Sequence, residues 1–166
     1  MSEYREEKYV TWDEIQDQCR GLARRILALD KPYRNILAFS RGGLFPAGIL
    51  ARELDIRHVE TVCIDTYQLQ ERGDPVMLKA PADGYYDDVI VVDDLTDTGA
   101  TLMMLKPYLN NSLIVTVYTK PLGESLVDMF HQRVAQDTWV RFPWDTDGGR
   151  AYVAPIAQET KQEPKP

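Results

Sequence analysis

The chain is poor in cysteine and histidine, with two of each among 166 residues. Cys19 and Cys63 are far apart and neither His58 nor His131 stands beside them, so there is no disulfide framework and no metal-ligand spacing. Both thiols are expected to be buried in a reducing compartment, and both histidines to be structural. Positive charge is also short: 19 Lys and Arg face 26 Asp and Glu, a net charge of -7. That balance argues against a nucleic acid or an anionic membrane as the main partner and points to a small molecule. No apolar run approaches the ~20 residues of a membrane span, and "MSEYREEKYV" lacks the apolar stretch of a signal peptide. A cytoplasmic place is therefore expected.

What is present is a sharp change of chemistry in "VIVVDDLTDTGATL", Val89 to Leu102. Val89 to Val92 are β-favouring and do not alternate with polar residues, the pattern of a strand buried on both faces of a parallel sheet. The small and N-capping residues that follow open a helix whose apolar body is Leu102 to Leu105. The same rhythm recurs. Thr11 and Glu14 form a capping-box pattern ahead of a helix spaced by Ile15, Cys19, Leu22, Ile26 and Leu29. Ile36 to Phe39 is a strand, "SRGG" a loop and "LFPAGILAREL" an apolar helix; Val59 to Ile64 and Leu113 to Thr119 are further strands, with a helix over 99–109 between the acidic turn and the last. Alternating strands and helices predict an α/β fold with a mainly parallel sheet.

Residues 66–87 are long and mixed in polarity, which suits a mobile or ligand-covering loop. From Lys120 to about residue 157, short strand-like pieces broken by Pro and Gly suggest a small C-terminal lobe. Residues 158–166 have the composition of a disordered tail. The expected organisation is one domain over 1–157, with a core to about residue 119 and the lobe beyond it.

At a helix N-terminus, backbone N–H groups lack partners and the helix dipole adds positive charge. The amides of Asp97 to Thr101, with the Thr98 and Thr101 hydroxyls, can therefore cradle a phosphate, and Gly99 lets the backbone curl around it. Asp93 and Asp94, just upstream, could accept hydrogen bonds from sugar hydroxyls or hold Mg²⁺ beside phosphate oxygens. The spacing is neither that of a P-loop nor that of a dinucleotide-binding fingerprint. An ordinary solvated turn would explain "DD" alone, but not the whole string of aliphatic, acidic and small hydroxylated residues.

That string resembles the phosphoribosyl pyrophosphate motif of the type I phosphoribosyltransferases. The resemblance extends along nearly the whole chain to their bacterial xanthine-guanine branch, through "VTWDEI", "SRGGLFPAGILARELDIRHVETVCI", "YTKPLGESLVD" and "QDTWVRFPWD". It implies the family's fold, a mainly parallel sheet flanked by helices with a small hood, and transfer of a phosphoribosyl group to N9 of guanine, xanthine or hypoxanthine in purine salvage. Mg²⁺, a homotetramer and peripheral association with the inner membrane are also implied.

By the same resemblance, Ser40, Arg41, Gly42 and Gly43 match the pyrophosphate loop, with a cis peptide before Arg41. Arg41 offers a fork of donors and the glycines let backbone amides face an anion. Asp93 and Asp94 match the pair that binds the ribose hydroxyls, Asp94 being the metal candidate, and Asp97, Thr98, Gly99, Ala100 and Thr101 match the 5′-phosphate loop. Ala100 replaces a family glycine, which matters only if that position needs positive φ. Asp97 is the candidate for proton transfer at the purine. Lys120 matches the lysine that donates to the 6-oxo group, Trp139 the aromatic residue that stacks on the base, and the backbone at Trp139 and Val140 would meet the 2-substituent. Arg141 stands where the enterobacterial pattern is acidic. Arg72 is the candidate phosphate-binding arginine of the mobile loop, with Gly73 competing for the position.

Two other readings share the fold: a hypoxanthine-guanine type enzyme, and a regulator that binds nucleotides without turnover. The "SRGG" loop and "DTWV" to "PWD" favour the xanthine-guanine type. A regulator would call for a basic surface or an added domain, whereas this chain is acidic and short and keeps Asp97, Lys120 and Trp139.

Overall fold

The unbroken aliphatic runs form the inner strands of a sheet, and the polar breaks between them form its connections. The computed structural model describes residues 4–65, 76–79, 86–148 and 150–159. In chain order the elements are β1 (Glu6–Tyr9), α1 (Trp12–Leu27), β2 (Asn35–Ser40), α2 (Leu44–Glu53), β3 (His58–Asp65), β4 (Val76–Lys79) and β5 (Tyr86–Asp87). They continue with β6 (Val89–Thr96), α3 (Ala100–Leu105), β7 (Leu109–Asn110), β8 (Leu113–Thr119), β9 (Met129–Arg133), β10 (Thr138–Arg141) and α4 (Ile156–Glu159). The chain divides into two compact units, Gln16–Gln136 and a smaller one made of the chain up to Ile15 together with the chain from Asp137 onward.

The larger unit carries a six-stranded sheet in the order β4-β3-β2-β6-β8-β9. Its neighbours pair parallel except β4, which runs antiparallel to β3. Leu37, Phe39, Val62, Ile64, Val89 and Val91 cluster with Leu102 and Leu105 of α3. The alternate residues Ile36, Ala38, Ile90 and Val92 are also buried, and by the period of a strand they face the other side. Helix α2 lies against β2, β3 and β6. At ~25 cal/mol per Å² of apolar surface buried, this two-sided sheet is the main stabilising feature of the unit. Because β2, β3, β6, β8 and β9 run the same way, Ser40, Asp65, Thr96, Thr119 and Arg133 all end at one edge.

Several boundaries differ from expectation for local reasons. β6 does not stop at Val92 but runs to Thr96, so Asp93 and Asp94 are strand residues. The helix expected over 99–109 is α-helical only to Leu105, because Pro107 lacks an N–H, and a single 3₁₀ turn over Lys106–Tyr108 leads into β7. Within 66–87, Val76–Lys79 and Tyr86–Asp87 are strands; the remainder of that segment, 66–75 and 80–85, lies outside the described residues. The sheet also reaches beyond residue 119, since β9 is its edge strand. Of the expected tail, Gln158 and Glu159 end the short helix α4, and 160–166 lie outside the described residues.

In the smaller unit, β1 pairs parallel with β10, in register from Glu6 opposite Thr138 to Tyr9 opposite Arg141. The expected capping box is formed: Thr11 N–H donates to Glu14 Oε2 at 2.7 Å and Glu14 N–H donates to Thr11 Oγ1 at 3.2 Å. Those hydrogen bonds hold the Glu14 carboxyl below its ordinary pKa, the backbone one from Thr11 being the largest cause. No helix among the described residues is long and apolar enough to cross a membrane.

Candidate functional site

In a parallel sheet the residues just past the strand ends converge on one edge, and there β2 and β6 bring two loops together. The Ser40–Arg41 peptide is cis. A Cβ placed on Gly42 would overlap the Asp94 carboxylate, and one on Gly43 would come within 2.5 Å of Val92 O and 2.7 Å of Phe39 O. Only glycine therefore allows the first loop to lie this close to β6. Ser40 Oγ donates to Val62 O at 3.2 Å, tying that loop to β3. Arg41 itself is exposed.

Asp93 and Asp94 fold back on their own strand: Asp94 N–H donates to Asp93 Oδ1 at 2.9 Å, and Leu95 N–H donates to Asp94 Oδ1 at 2.7 Å. Desolvation, and then the negative charge of Asp94, push the proton affinity of Asp93 well above the ordinary carboxylate range. Two neighbouring carboxylates whose charges act on each other are a ready place for a cation. Among the described residues no group of three acidic, histidine or cysteine side chains could enclose a metal, so an ion here would need oxygens from a bound molecule as well.

After Thr96 the chain turns through Asp97, Thr98 and Gly99 into α3. Gly99 takes φ of 81°, the left-handed region, and a Cβ there would overlap the Leu126 side chain. Ala100 opens the helix, so replacing a glycine at this position costs nothing in backbone conformation. Ala100 N–H donates to Thr98 Oγ1 at 3.4 Å, a local bond that shapes the turn. Thr98 is exposed and Thr101 half-buried.

Lys120 follows β8 and reaches the same turn. Its backbone N–H donates to Thr96 O at 2.9 Å and its Nζ donates to Asp97 Oδ2 at 3.0 Å. The lysine side chain is 2% exposed and the aspartate 37%, so the ammonium is drawn out of water and the carboxylate remains accessible. A buried ammonium needs such a partner, since an unpaired charge there would cost several kcal/mol. The segment after Lys120 supports the turn from behind: a Cβ on Gly123 would lie 2.5 Å from Thr96 Cγ2 and 2.9 Å from Asp97 O. A third group, unmarked by sequence reasoning, also touches Asp97: Gln136 Nε2 donates to Oδ1 at 2.5 Å. Gln136 precedes the "DTW" string, and its type and position alone carry no signal of this contact.

Trp139 and Val140 belong to β10 in the smaller unit. Trp139 is 39% exposed and Val140 buried. The indole meets Tyr4 edge-on, with ring centroids 4.6 Å apart. Arg141 lies over Trp139 at 5.2 Å and over Tyr152 at 4.7 Å, and its Nη2 pairs with Glu7 Oε1 at 2.7 Å. Hydrogen bonds from Tyr9, the larger cause, and Arg141 lower the pKa of Glu7. Arg141, which departs from the enterobacterial pattern, is thus held between two rings and a carboxylate of β1. Arg72, and Gly73 beside it, lie outside the described residues.

Remote from these residues, a cavity of about 490 Å³ lined by Ile26, Tyr33, Leu54 and Ile90 lies toward the amino-terminal ends of the strands. It contains none of the candidate groups.

Comparison with known proteins identifies the family. The phosphoribosyl transferase domain family matches residues 9–147. A xanthine-guanine phosphoribosyltransferase of Nitratidesulfovibrio vulgaris is 41% identical over 159 residues, covering 96% of each chain. The solved purine phosphoribosyltransferase of Pyrococcus horikoshii superposes with a TM-score of 0.72 at 26% identity, over 86% of this chain and 96% of its own. The Helicobacter pylori xanthine-guanine-hypoxanthine phosphoribosyltransferase has a TM-score of 0.67 at 16% identity, over 95% and 99%, a likeness of fold. Glycine-bounded loops at the carboxyl edge of a mainly parallel sheet, and sequence identity along almost its whole length, thus lead to one conclusion: the chain belongs to the phosphoribosyltransferase family.

Proposed function

We propose that this chain transfers the 5-phosphoribosyl group of phosphoribosyl pyrophosphate to N9 of guanine, xanthine or hypoxanthine, giving GMP, XMP or IMP and pyrophosphate. The observation that carries the reading is the buried Lys120 ammonium paired with Asp97 at the mouth of the phosphate turn. One donor suited to a 6-oxo group and one proton acceptor stand together beside a cradle for an anion. The base substrates of the relatives agree with that pairing.

In this reading the amides of Asp97 to Thr101 and the Thr98 and Thr101 hydroxyls hold the 5′-phosphate. Asp93 and Asp94 accept from the ribose hydroxyls, and Ser40 to Gly43 bind the pyrophosphate, with Arg41 and Arg72 as its charged donors. Trp139 stacks on the base and the backbone at Trp139 and Val140 meets its 2-substituent. The N9 lone pair of the 7-H base attacks C1′, the bond from C1′ to pyrophosphate oxygen breaks, and the N7 proton passes to the Asp97 carboxylate. The transition state is oxocarbenium-like, so in-line positioning and nearby negative charge supply much of the rate. Mg²⁺ fits the site, because the crowded carboxylates would be relieved by a cation and Asp94 would hold it; when bound it neutralises charge on the leaving pyrophosphate.

A reducing, cytoplasmic setting suits the two free thiols, of which buried Cys19 is pushed up to about 12 by desolvation and is chemically inert. A homotetramer is the assembly carried over from the family, and light scattering of the purified protein tests it. Peripheral contact with the inner membrane, carried over likewise, is tested by cosedimentation with anionic vesicles.

The test of function is nucleotide formation from phosphoribosyl pyrophosphate and Mg²⁺ with guanine, xanthine, hypoxanthine or adenine in separate reactions. The 6-oxopurines should react and adenine should not. Reaction with adenine, or binding of phosphoribosyl pyrophosphate with no turnover of any base, would overturn the proposal.

A further inference from the structure

Lys120 and Gln136 both hold the Asp97 carboxylate, and of these two Lys120 alone has a place in the proposed transfer reaction. Lys120 takes Oδ2 and Gln136 Nε2 takes Oδ1. The orientation of the Gln136 amide is fixed independently, because its Oε1 accepts from Leu122 N–H at 3.1 Å, which leaves the NH₂ group to face the aspartate. Leu122 belongs to the turn that starts at Lys120, where Gly123 N–H and Glu124 N–H both donate to Lys120 O, at 3.1 and 3.0 Å. At Gly123 the same turn rests against Thr96, Asp97 and Gly99. One glutamine thus joins the carboxylate, the lysine turn and the floor of the phosphate turn, from a position between β9 and β10.

We infer that Gln136 is a positioning residue for proton transfer: by donating to Oδ1 it fixes the rotation of the Asp97 carboxylate against Lys120 and so sets which oxygen edge meets the base. The inference rests on the reading of Asp97 as the proton acceptor. A carboxylate free to rotate about its χ angles would meet N7 in the productive orientation only part of the time. A misplacement of about 1 Å is enough to cost on the order of 10²-fold in rate. Gln136 itself touches no reacting atom. Its effect should therefore appear in turnover and pass entirely through Asp97.

The test uses Gln136→Glu, Gln136→Leu, Asp97→Asn and the double variant Asp97→Asn/Gln136→Leu, each first checked by thermal melting. Gln136→Glu keeps the side-chain size and the acceptor for Leu122 N–H while replacing the donor aimed at Asp97, so it carries the test even if the leucine variant does not fold. The expected result for both Gln136 variants is a fall in kcat of roughly 10- to 100-fold, with the KM for phosphoribosyl pyrophosphate within about twofold of the parent. In the Asp97→Asn background, Gln136→Leu should lower kcat no further. Parental turnover in Gln136→Glu beside a slow Asp97→Asn would overturn the inference alone. So would kcat losses that multiply in the double variant, or a raised KM with kcat unchanged, because each describes a merely structural glutamine. Parental turnover in Asp97→Asn would remove the proton-transfer reading and this inference together.

Discussion

From Ser40 to Gly43 and from Asp93 to Thr101, the larger unit builds its site out of backbone: amides past strand ends, a left-handed Gly99, and Gly42 and Gly43 packed where no Cβ fits. The smaller unit does the opposite. Trp139 is placed by side chains from distant parts of the chain, with Tyr4 edge-on to the indole and Arg141 held over it by Glu7. A backbone site tolerates almost no change of residue at its glycines, whereas a side-chain site can lose one contact and keep its shape. In the proposed function the first would serve the co-substrate common to every reaction, the phosphoribosyl donor. The second suits the base, which varies.

The contrast should be visible in variants. Gly42→Ala puts a methyl group into the Asp94 carboxylate, and affinity for phosphoribosyl pyrophosphate measured by calorimetry should fall by up to ~150-fold, the upper end of the cost of an overpacked, strained site. Retained affinity would show that the loop is not held tightly against β6. Trp139→Ala should raise the KM for guanine by about 10- to 100-fold, the cost of one lost base-stacking contact, and leave the donor's KM near the parental value. A change confined to the donor would reverse the assignment of the two regions.

Asp93→Asn tests the larger unit by a gain. Burial and Asp94 raise the proton affinity of Asp93 in the folded chain, so the native state binds more protons than the unfolded one. Stability from this group is present below the ordinary carboxylate pKa and lost as pH rises through the raised value. At pH 7 the asparagine variant should melt higher in the ligand-free state, by about 2–4 °C if the relief is near 1 kcal/mol. That advantage should close as the pH is lowered and the parent takes up its proton. The same variant should bind the donor less well. A melting difference that does not change with pH would contradict an origin in the desolvated charge of half-buried Asp93. Smallest of all, Glu7→Gln removes one exposed partner of Arg141, and the KM for guanine should move by no more than about twofold, as surface ion pairs contribute little. A large loss would mean that the hood depends on that pair far more than its exposure allows.

The difference between the regions also explains what could be read from the amino-acid order. "VIVVDDLTDTGATL" contains a strand, a turn and a helix start in one continuous string, so this strand-to-helix turn was legible before any tertiary contact was known. The capping box at Thr11 and Glu14 and the Ser40–Gly43 loop were legible for the same reason. Pairing of β1 with β10 was not, because it joins residues more than a hundred positions apart, and register across such a distance leaves no local pattern. β9 was hidden within a stretch interrupted by Pro121 and Gly123, where an edge strand needs little aliphatic patterning. Gln136 was missed because a glutamine is most often a solvated side chain, and only its orientation by Leu122 N–H turns it toward Asp97.

The most direct measurement compares guanine with 2,6-diaminopurine, which keeps the 2-amino group but carries an amino group at C6 in place of the oxo group and, with it, no proton on N1. With saturating phosphoribosyl pyrophosphate and Mg²⁺, kcat/KM should favour guanine by at least ~10³-fold, as expected of a site whose buried ammonium would face an amino group that cannot accept from it. In Lys120→Ala that preference should collapse. Comparable turnover of the two bases by the parental protein would contradict the claim that Lys120, paired with Asp97 beside the phosphate turn, selects a 6-oxopurine.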